Sequence, residues 1–236
     1  MQAVILAAGR GLRLRPLTET TPKALVDVAG TPLIFRILDA LPDAVTEIFI
    51  VVGHLKERVM EAVGPSYRDR KIDYVIQDPL DGTGSALHLL KDCLHGKFLV
   101  VNGDDLYDRG DLERLVAHHL GLLVQPTLDS VESSALQDEN GRFEGLEKNA
   151  PSDETKLRVC GAYVLDERFF RYPLAEVSVH GKTEWSLPHT LVEMALDNDM
   201  HVEDATRWMP VGTQSELDQA QSFYRYAGHG SPSVGE

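Results

Sequence analysis

The sequence predicts an α/β fold built on a parallel, helix-covered sheet. Short continuous apolar runs at Ala3–Ala7, Glu47–Val52 and Phe98–Val101 have the character of strands buried on both faces. Segments with apolar residues at helical spacing separate them. The alternation of the two from Met1 to Val101 is the rhythm of βαβ units.

Taken in order, Ala3–Ala7 runs straight into a glycine loop, Pro32–Leu41 carries a helical pattern, and Glu47–Val52 is a strand followed by a helix over Leu55–Val63. Ile72–Gln77 alternates as a strand, Ser85–Leu94 reads as a helix, and Phe98–Val101 meets Asn102-Gly103-Asp104-Asp105. The second half is less regular. Leu120–Thr127, Val131–Leu136 and Val159–Leu165 read as strands, with a turn signal at Glu139-Asn140-Gly141. Leu187–Leu196 reads as a helix and His201–Ala205 as extended chain. Ser215–Tyr226 reads as a final helix capped by Ser215.

The chain has 236 residues, 43% hydrophobic and 25% charged, which suits one domain able to bury a core without disulfides. A single domain over residues 1–226 is expected, with a Gly-, Ser- and Pro-rich disordered tail over 227–236. The net charge of −14 argues against duplex nucleic acid or an anionic membrane as partner. No secretory signal is visible at Met1–Ala8 and no apolar run has transmembrane length, so the cytoplasm is the expected compartment. The two cysteines, Cys93 and Cys160, read as buried thiols in a reducing compartment. The nine histidines show no metal-ligand spacing, and His118-His119 reads as surface.

The richest chemistry lies between Leu6 and Lys23. Glycines after a first strand let backbone N–H groups approach phosphate. A Walker A loop would need Gly-Lys-Ser/Thr, which is absent, and a dinucleotide fingerprint would need glycine where Leu14 stands. A plain turn would not need Arg13, Pro16 and Lys23. Leu6, Gly9, Gly11, Arg13, Leu14, Pro16, Leu17, Thr18, Pro22 and Lys23 fall on L-x-x-G-x-G-x-R-L-x-P-L-T-x-x-x-P-K. That pattern resembles the signature of the sugar-1-phosphate nucleotidylyltransferases, and Gly30-Thr31-Pro32-Leu33 resembles their next segment.

The resemblance implies a Rossmann-like α/β/α sandwich with a mostly parallel central sheet. It implies transfer of a nucleotidyl group from a nucleoside triphosphate to a sugar-1-phosphate, with release of pyrophosphate. Arg13 and Lys23 are then the catalytic cations, both expected to face solvent, with Arg13 on the triphosphate and Lys23 on the α-phosphate and the incoming phosphate. Leu6, Ala8, Gly9, Gly11 and Gly103 would surround the nucleotide. Gln77–Ala86 resembles Q-x-x-x-L-G-T-x-x-A with Asp81 inserted before Gly82. There Gln77, Gly82 and Thr83 would meet the base, the Gln amide offering donor and acceptor to a pyrimidine edge. UTP or dTTP is the favoured donor, with CTP and GTP as alternatives.

By the same resemblance Asp104 would hold Mg²⁺, which prefers oxygen ligands and bridges phosphates. Glu147 and Lys148 resemble the family's E-K-P, with Asn149 for proline. Gly161 lies in a segment like N-T-G-x-Y, and Glu184 in one like E-x-x-L. These four would hold the sugar phosphate. Trp208–Leu217 resembles W-x-D-x-G-T-x-x-x-L, but Pro210 replaces the aspartate that is a second metal ligand in many relatives. That departure alone favours a rival reading, a non-catalytic nucleotide-sugar sensor. Sequence leaves oligomeric state open, a homo-oligomer included.

Overall fold

The computed structural model describes residues 1–148, 150–151, 153–179 and 181–227. The tail expected over 227–236 therefore lies outside the described residues from 228 onward, as does Asn149. The first half runs β1 (Gln2–Ala7), α1 (Leu17–Thr20), β2 (Asp27–Val28), β3 (Thr31–Pro32), α2 (Leu33–Ala40), β4 (Glu47–Val52) and α3 (Lys56–Val63). It continues through β5 (Ser66–Tyr67), β6 (Arg70–Ile76), α4 (Thr83–His88), β7 (Lys97–Asn102), β8 (Asp105–Tyr107) and α5 (Arg109–Leu115). Next come β9 (Gly121–Thr127), β10 (Ser133–Gln137), β11 (Phe143–Lys148), β12 (Lys156–Asp166), β13 (Ala175–Val179) and β14 (Lys182–Ser186). The chain closes with α6 (Leu187–Asp197), β15 (His201–Asp204), β16 (Trp208–Pro210) and α7 (Gln214–Ala227).

The centre of the sheet is parallel. β1 pairs with β4 on one side and β7 on the other, and β4 pairs with β6. The later strands extend it as a mixed sheet of ten: β12 runs antiparallel to β7 and to β9, and β15 runs parallel to β9. The expected sandwich is present, and the side-chain period of two explains it. Ala3 and Ile5 of β1 and Leu99 and Val101 of β7 enter one core with α2, α3, α5 and α7. Val4, Phe98 and Val100 enter the opposite core with α4 and α6. Each fully buried Leu, Ile or Val contributes about 1.5–3 kcal/mol. The parallel centre is therefore the rigid platform of the molecule.

Three local expectations need correction. The final helix is not capped by Ser215. Glu216 N donates to Thr213 Oγ1 at 3.3 Å, and the Glu216 carboxylate accepts from Thr213 N at 2.7 Å. This reciprocal capping box follows from Thr213-x-x-Glu216. The helix expected over Ser85–Leu94 ends at His88 and continues only as tight turns, such as Leu90 N to Leu87 O. Cys160 is buried as expected, and burial pushes its thiol pKa well up, but Cys93 is exposed.

Candidate active site

The residues singled out in the first segment gather where β1 and β7 end. β1 delivers the chain into the loop beginning at Ala8, and Gly11 adopts a left-handed φ of +61°. A Cβ there would press on Thr18 Cγ2 at 3.0 Å and on Lys23 Cβ at 3.2 Å. Thr18, itself buried, donates from Oγ1 to Gly11 O at 2.7 Å. Gly11 is thus the point where the loop folds over the Lys23 stem. Gly103 is packed as tightly at the end of β7, donating its N–H to Leu6 O at 2.8 Å. A side chain there would meet Leu6 O at 2.8 Å and Ala7 Cα at 2.9 Å. Ala8 O accepts from His54 N at 3.1 Å. Gly9 faces open space.

Lys23 Nζ stands 2.5 Å from Asp104 Oδ2. The Lys23 side chain is only 11% exposed, so it does not face solvent as expected, whereas the Asp104 side chain is 40% exposed. Arg13 is exposed, and among the described residues it makes no hydrogen bond or ion pair. Its guanidinium lies against Gly212, where a Cβ would stand 2.5 Å from one terminal nitrogen. Val211 N donates to Asp104 O at 3.0 Å. The two residues that follow β16 therefore tie the Arg13 side of the loop to the Asp104 side. Sequence reading gave Gly212 no role. Nor did it single out Gly53, whose missing side chain leaves room for Leu80 and Ala8 O.

Two neighbouring carboxylates behave differently. Asp105 is buried, 3.3 Å from Asn102 Nδ2, and its Oδ2 accepts weakly from Tyr107 OH at 3.4 Å. Burial first, then the Asp104 charge, pushes its pKa well above the ordinary carboxylate range. It points into the fold and is no second metal ligand. Pro210 sits opposite it in the β16–β8 register. The donor set left facing the loop is the Asp104 carboxylate. A single hard-oxygen ligand fits Mg²⁺, which keeps waters and takes the rest of its shell from substrate phosphates.

The base-side segment is also held together. Gln77 is buried, and its Nε2 donates to Gly82 O at 2.9 Å and to Asp81 Oδ1 at 3.2 Å. Both partners are acceptors, so the amide nitrogen must face them. Only the Gln77 carbonyl oxygen is left for a ligand, not donor and acceptor together. Gly82 has φ of +115°, and its missing Cβ would overlap the Trp185 backbone, 2.6 Å from Trp185 N. This close approach accounts for the glycine. Thr83 Oγ1 accepts from Leu187 N at 3.1 Å, joining α4 to the start of α6.

The sugar-side residues are more dispersed. Glu147 and Lys148 are exposed at the end of β11, and Glu184 is half-buried on β14. Gly161, at φ +68°, forms a bulge in β12 whose missing Cβ makes room for the Asn102 side chain and stands 3.0 Å from Asp105 Oδ2. It is packed on the end of β7. His189, which sequence reading passed over, has a buried Nε2 without a partner among the described residues. Its Nδ1 lies 2.7 Å from Ser186 Oγ. Burial, then the Lys148 charge, lowers its pKa, and its helix α6 packs on β11.

A loop of glycine and fixed cations at the carboxyl ends of parallel strands is the architecture of a phosphate-handling α/β protein. Residues 2–123 match the Nucleotidyl transferase family, and the chain belongs to it. Bifunctional protein GlmU of Methanococcus maripaludis is 38% identical over 230 residues, covering 95% of this chain and 54% of that one. UTP–glucose-1-phosphate uridylyltransferase AglF of Haloferax volcanii is 39% identical over 109 residues, covering 46% of this chain and 45% of that one. The chain spans about half the length of these curated relatives. Among solved structures, a Bacillus anthracis protein assigned as a glucose-1-phosphate thymidylyltransferase, crystallised with sucrose, superposes with a TM-score of 0.78. It is 23% identical and is matched over 100% of this chain and 98% of its own, which is agreement of fold. No helix among the described residues is long and apolar enough to cross a membrane.

Proposed function

We propose that the chain transfers a nucleotidyl group from a nucleoside triphosphate, UTP or dTTP foremost, to a sugar-1-phosphate, releasing pyrophosphate. The observation that carries this reading is the Lys23–Asp104 pair beside the unpaired Arg13, at the ends of β1 and β7. The sugar phosphate oxygen attacks the α-phosphorus in line, and pyrophosphate leaves from the opposite side. Such a reaction needs charge stabilisation and alignment more than covalent chemistry. Arg13, free of protein partners among the described residues, grips the triphosphate and the leaving pyrophosphate. Lys23, held by Asp104 and the Gly11 turn, neutralises charge on the α-phosphate oxygens and the incoming phosphate. Asp104 would hold Mg²⁺, which when bound neutralises phosphate charge.

The Gln77 carbonyl oxygen accepts from the N3–H of uracil or thymine. Cytosine, which offers an N–H at its exocyclic amine, is the nearest competitor. Glu147, Lys148 and Glu184 surround the sugar phosphate, with Lys148 on its charge. The name of the AglF relative supports a pyrimidine donor. A pyrophosphate-release screen of UTP, dTTP, CTP, GTP and ATP against a panel of sugar-1-phosphates tests the proposal. Pro210 favours a second reading, a sensor that binds nucleotide sugar without turnover, and the same screen separates the two.

A further inference from the structure

Far from this site, the fold brings together residues that sequence spacing keeps apart. His118, His201 and Glu203 each offer a ligand atom, and these atoms all lie within 4.8 Å of one another. Among the described residues no other group of three His, Cys, Asp or Glu does so. We propose that they form a binding site for a divalent transition metal, Zn²⁺ foremost, completed by water.

The backbone supports are rigid. His201 and Glu203 stand two apart on β15 and so share a face, with the buried Val202 between them. β15 is fixed by parallel pairing to β9, and His201 N donates to Leu120 O at 2.9 Å. His118 lies in the turn after α5, and Lys97 Nζ donates to its carbonyl at 3.2 Å. Lys97 opens β7, whose other end is Asn102 in the candidate active site. At ~3.3 Å per residue, β7 spans about 16 Å between Lys97 and Asn102.

The separation of the His118 and Glu203 ligand atoms suits zinc. His118 Nε2 and Glu203 Oε2 are 3.2 Å apart. Zinc bonds of about 2.0–2.1 Å at the tetrahedral angle require ligand separations of about 3.3 Å. The other carboxylate oxygen is already oriented: Arg114 Nε donates to Glu203 Oε1 at 2.6 Å, and Arg114 also contacts Asp111 and the Asp204 carbonyl. Such outer contacts commonly fix metal-bound carboxylates. The His118 and His201 rings stack with centroids 3.9 Å apart and 21° between planes. Ligation needs one ring to turn out of this stack. The His201 ring can do so, being half-buried and held by no hydrogen bond among the described residues. Two imidazoles and a carboxylate with an open position are a borderline-soft donor set that suits Zn²⁺ rather than Mg²⁺. The ion would clip the edge strand β15 to the α5–β9 turn.

Calorimetric titration of the chelator-treated 236-residue chain with Zn²⁺ tests this. One equivalent should bind with Kd at or below about 1 μM, and Asp104→Asn should bind it equally. His201→Ala, His118→Ala and Glu203→Gln should each weaken it at least ~10-fold, with the fold checked by circular dichroism. Cobalt(II) gives a second readout, the intense visible bands of a four-coordinate ion, lost in Glu203→Gln. Weaker zinc binding, binding unchanged by all three substitutions, or only the faint bands of six-coordinate cobalt would overturn the proposal.

Discussion

Lys23 and Asp104 are 81 positions apart in sequence, yet their side chains meet at 2.5 Å where β1 and β7 end side by side. The pair places a cation and an anion at the mouth of the glycine loop. Lys23 is held from two sides, by Asp104 and by the close approach of Gly11. Removing it should leave the loop intact but the α-phosphate uncompensated. Lys23→Ala is expected to lower turnover on the order of 10²-fold or more, the range for loss of one charge-stabilising donor. Arg13→Ala should do the same with less effect on melting temperature, because Arg13 is exposed. Steady-state kinetics with thermal melts check both, and near-normal turnover in either variant would sink the assignment.

Asp104→Asn should weaken activity and its Mg²⁺ dependence together. Asp105 faces inward and Pro210 has no side-chain oxygen, so no neighbour on those strands substitutes. The wild type should lose activity in excess chelator and regain it with Mg²⁺. Activity indifferent to the chelator would remove Asp104 from that role.

Gly212 should prove functional without touching substrate. A methyl at 212 would stand 2.5 Å from the end of the Arg13 side chain and 3.1 Å from Glu216 Oε2. The flexible arginine can move away cheaply, so the expected cost falls on function. Gly212→Ala should raise KM for the nucleoside triphosphate by about tenfold, equivalent to ~1.4 kcal/mol, while shifting Tm little. A large drop in Tm with unchanged KM would assign Gly212 to stability alone.

Donor choice should run through Gln77. Its carbonyl oxygen is the free end of the amide, and the larger purine ring carries its N–H donors at other positions than a pyrimidine does, so a purine leaves that oxygen poorly paired, at ~1–3 kcal/mol. UTP or dTTP should exceed ATP by at least ~10-fold in kcat/KM, and Gln77→Ala should narrow that gap. Competition at a fixed sugar-1-phosphate measures it. A clear preference for ATP or GTP would mean that the segment around Gly82 does not read a pyrimidine.

The parallel half of the fold was legible because its signals are local: continuous apolar runs for β1, β4 and β7, and glycine, arginine and lysine at fixed spacing after β1. What sequence could not show depended on the third dimension. The Gln77 amide looked two-faced until Asp81 and Gly82 O were seen to occupy its nitrogen. Gly82 and Gly161 suggested ligand contact, yet both have immediate packing reasons in the Trp185 backbone and the Asn102 side chain. His118 and His201 had no spacing that joined them, because the β15–β9 pairing that does so is non-local. The Thr213–Glu216 capping box was readable from its own four residues and was missed.

The most direct measurement is pyrophosphate release from UTP or dTTP with a sugar-1-phosphate, made in Mg²⁺ on the wild type and on Lys23→Ala side by side. Wild-type release that depends on both substrates, yields a nucleotide sugar, and falls on the order of 10²-fold in the variant is the expected result. Binding of nucleotide sugar without any pyrophosphate release, across all five triphosphates, would contradict a transferase and favour the sensor.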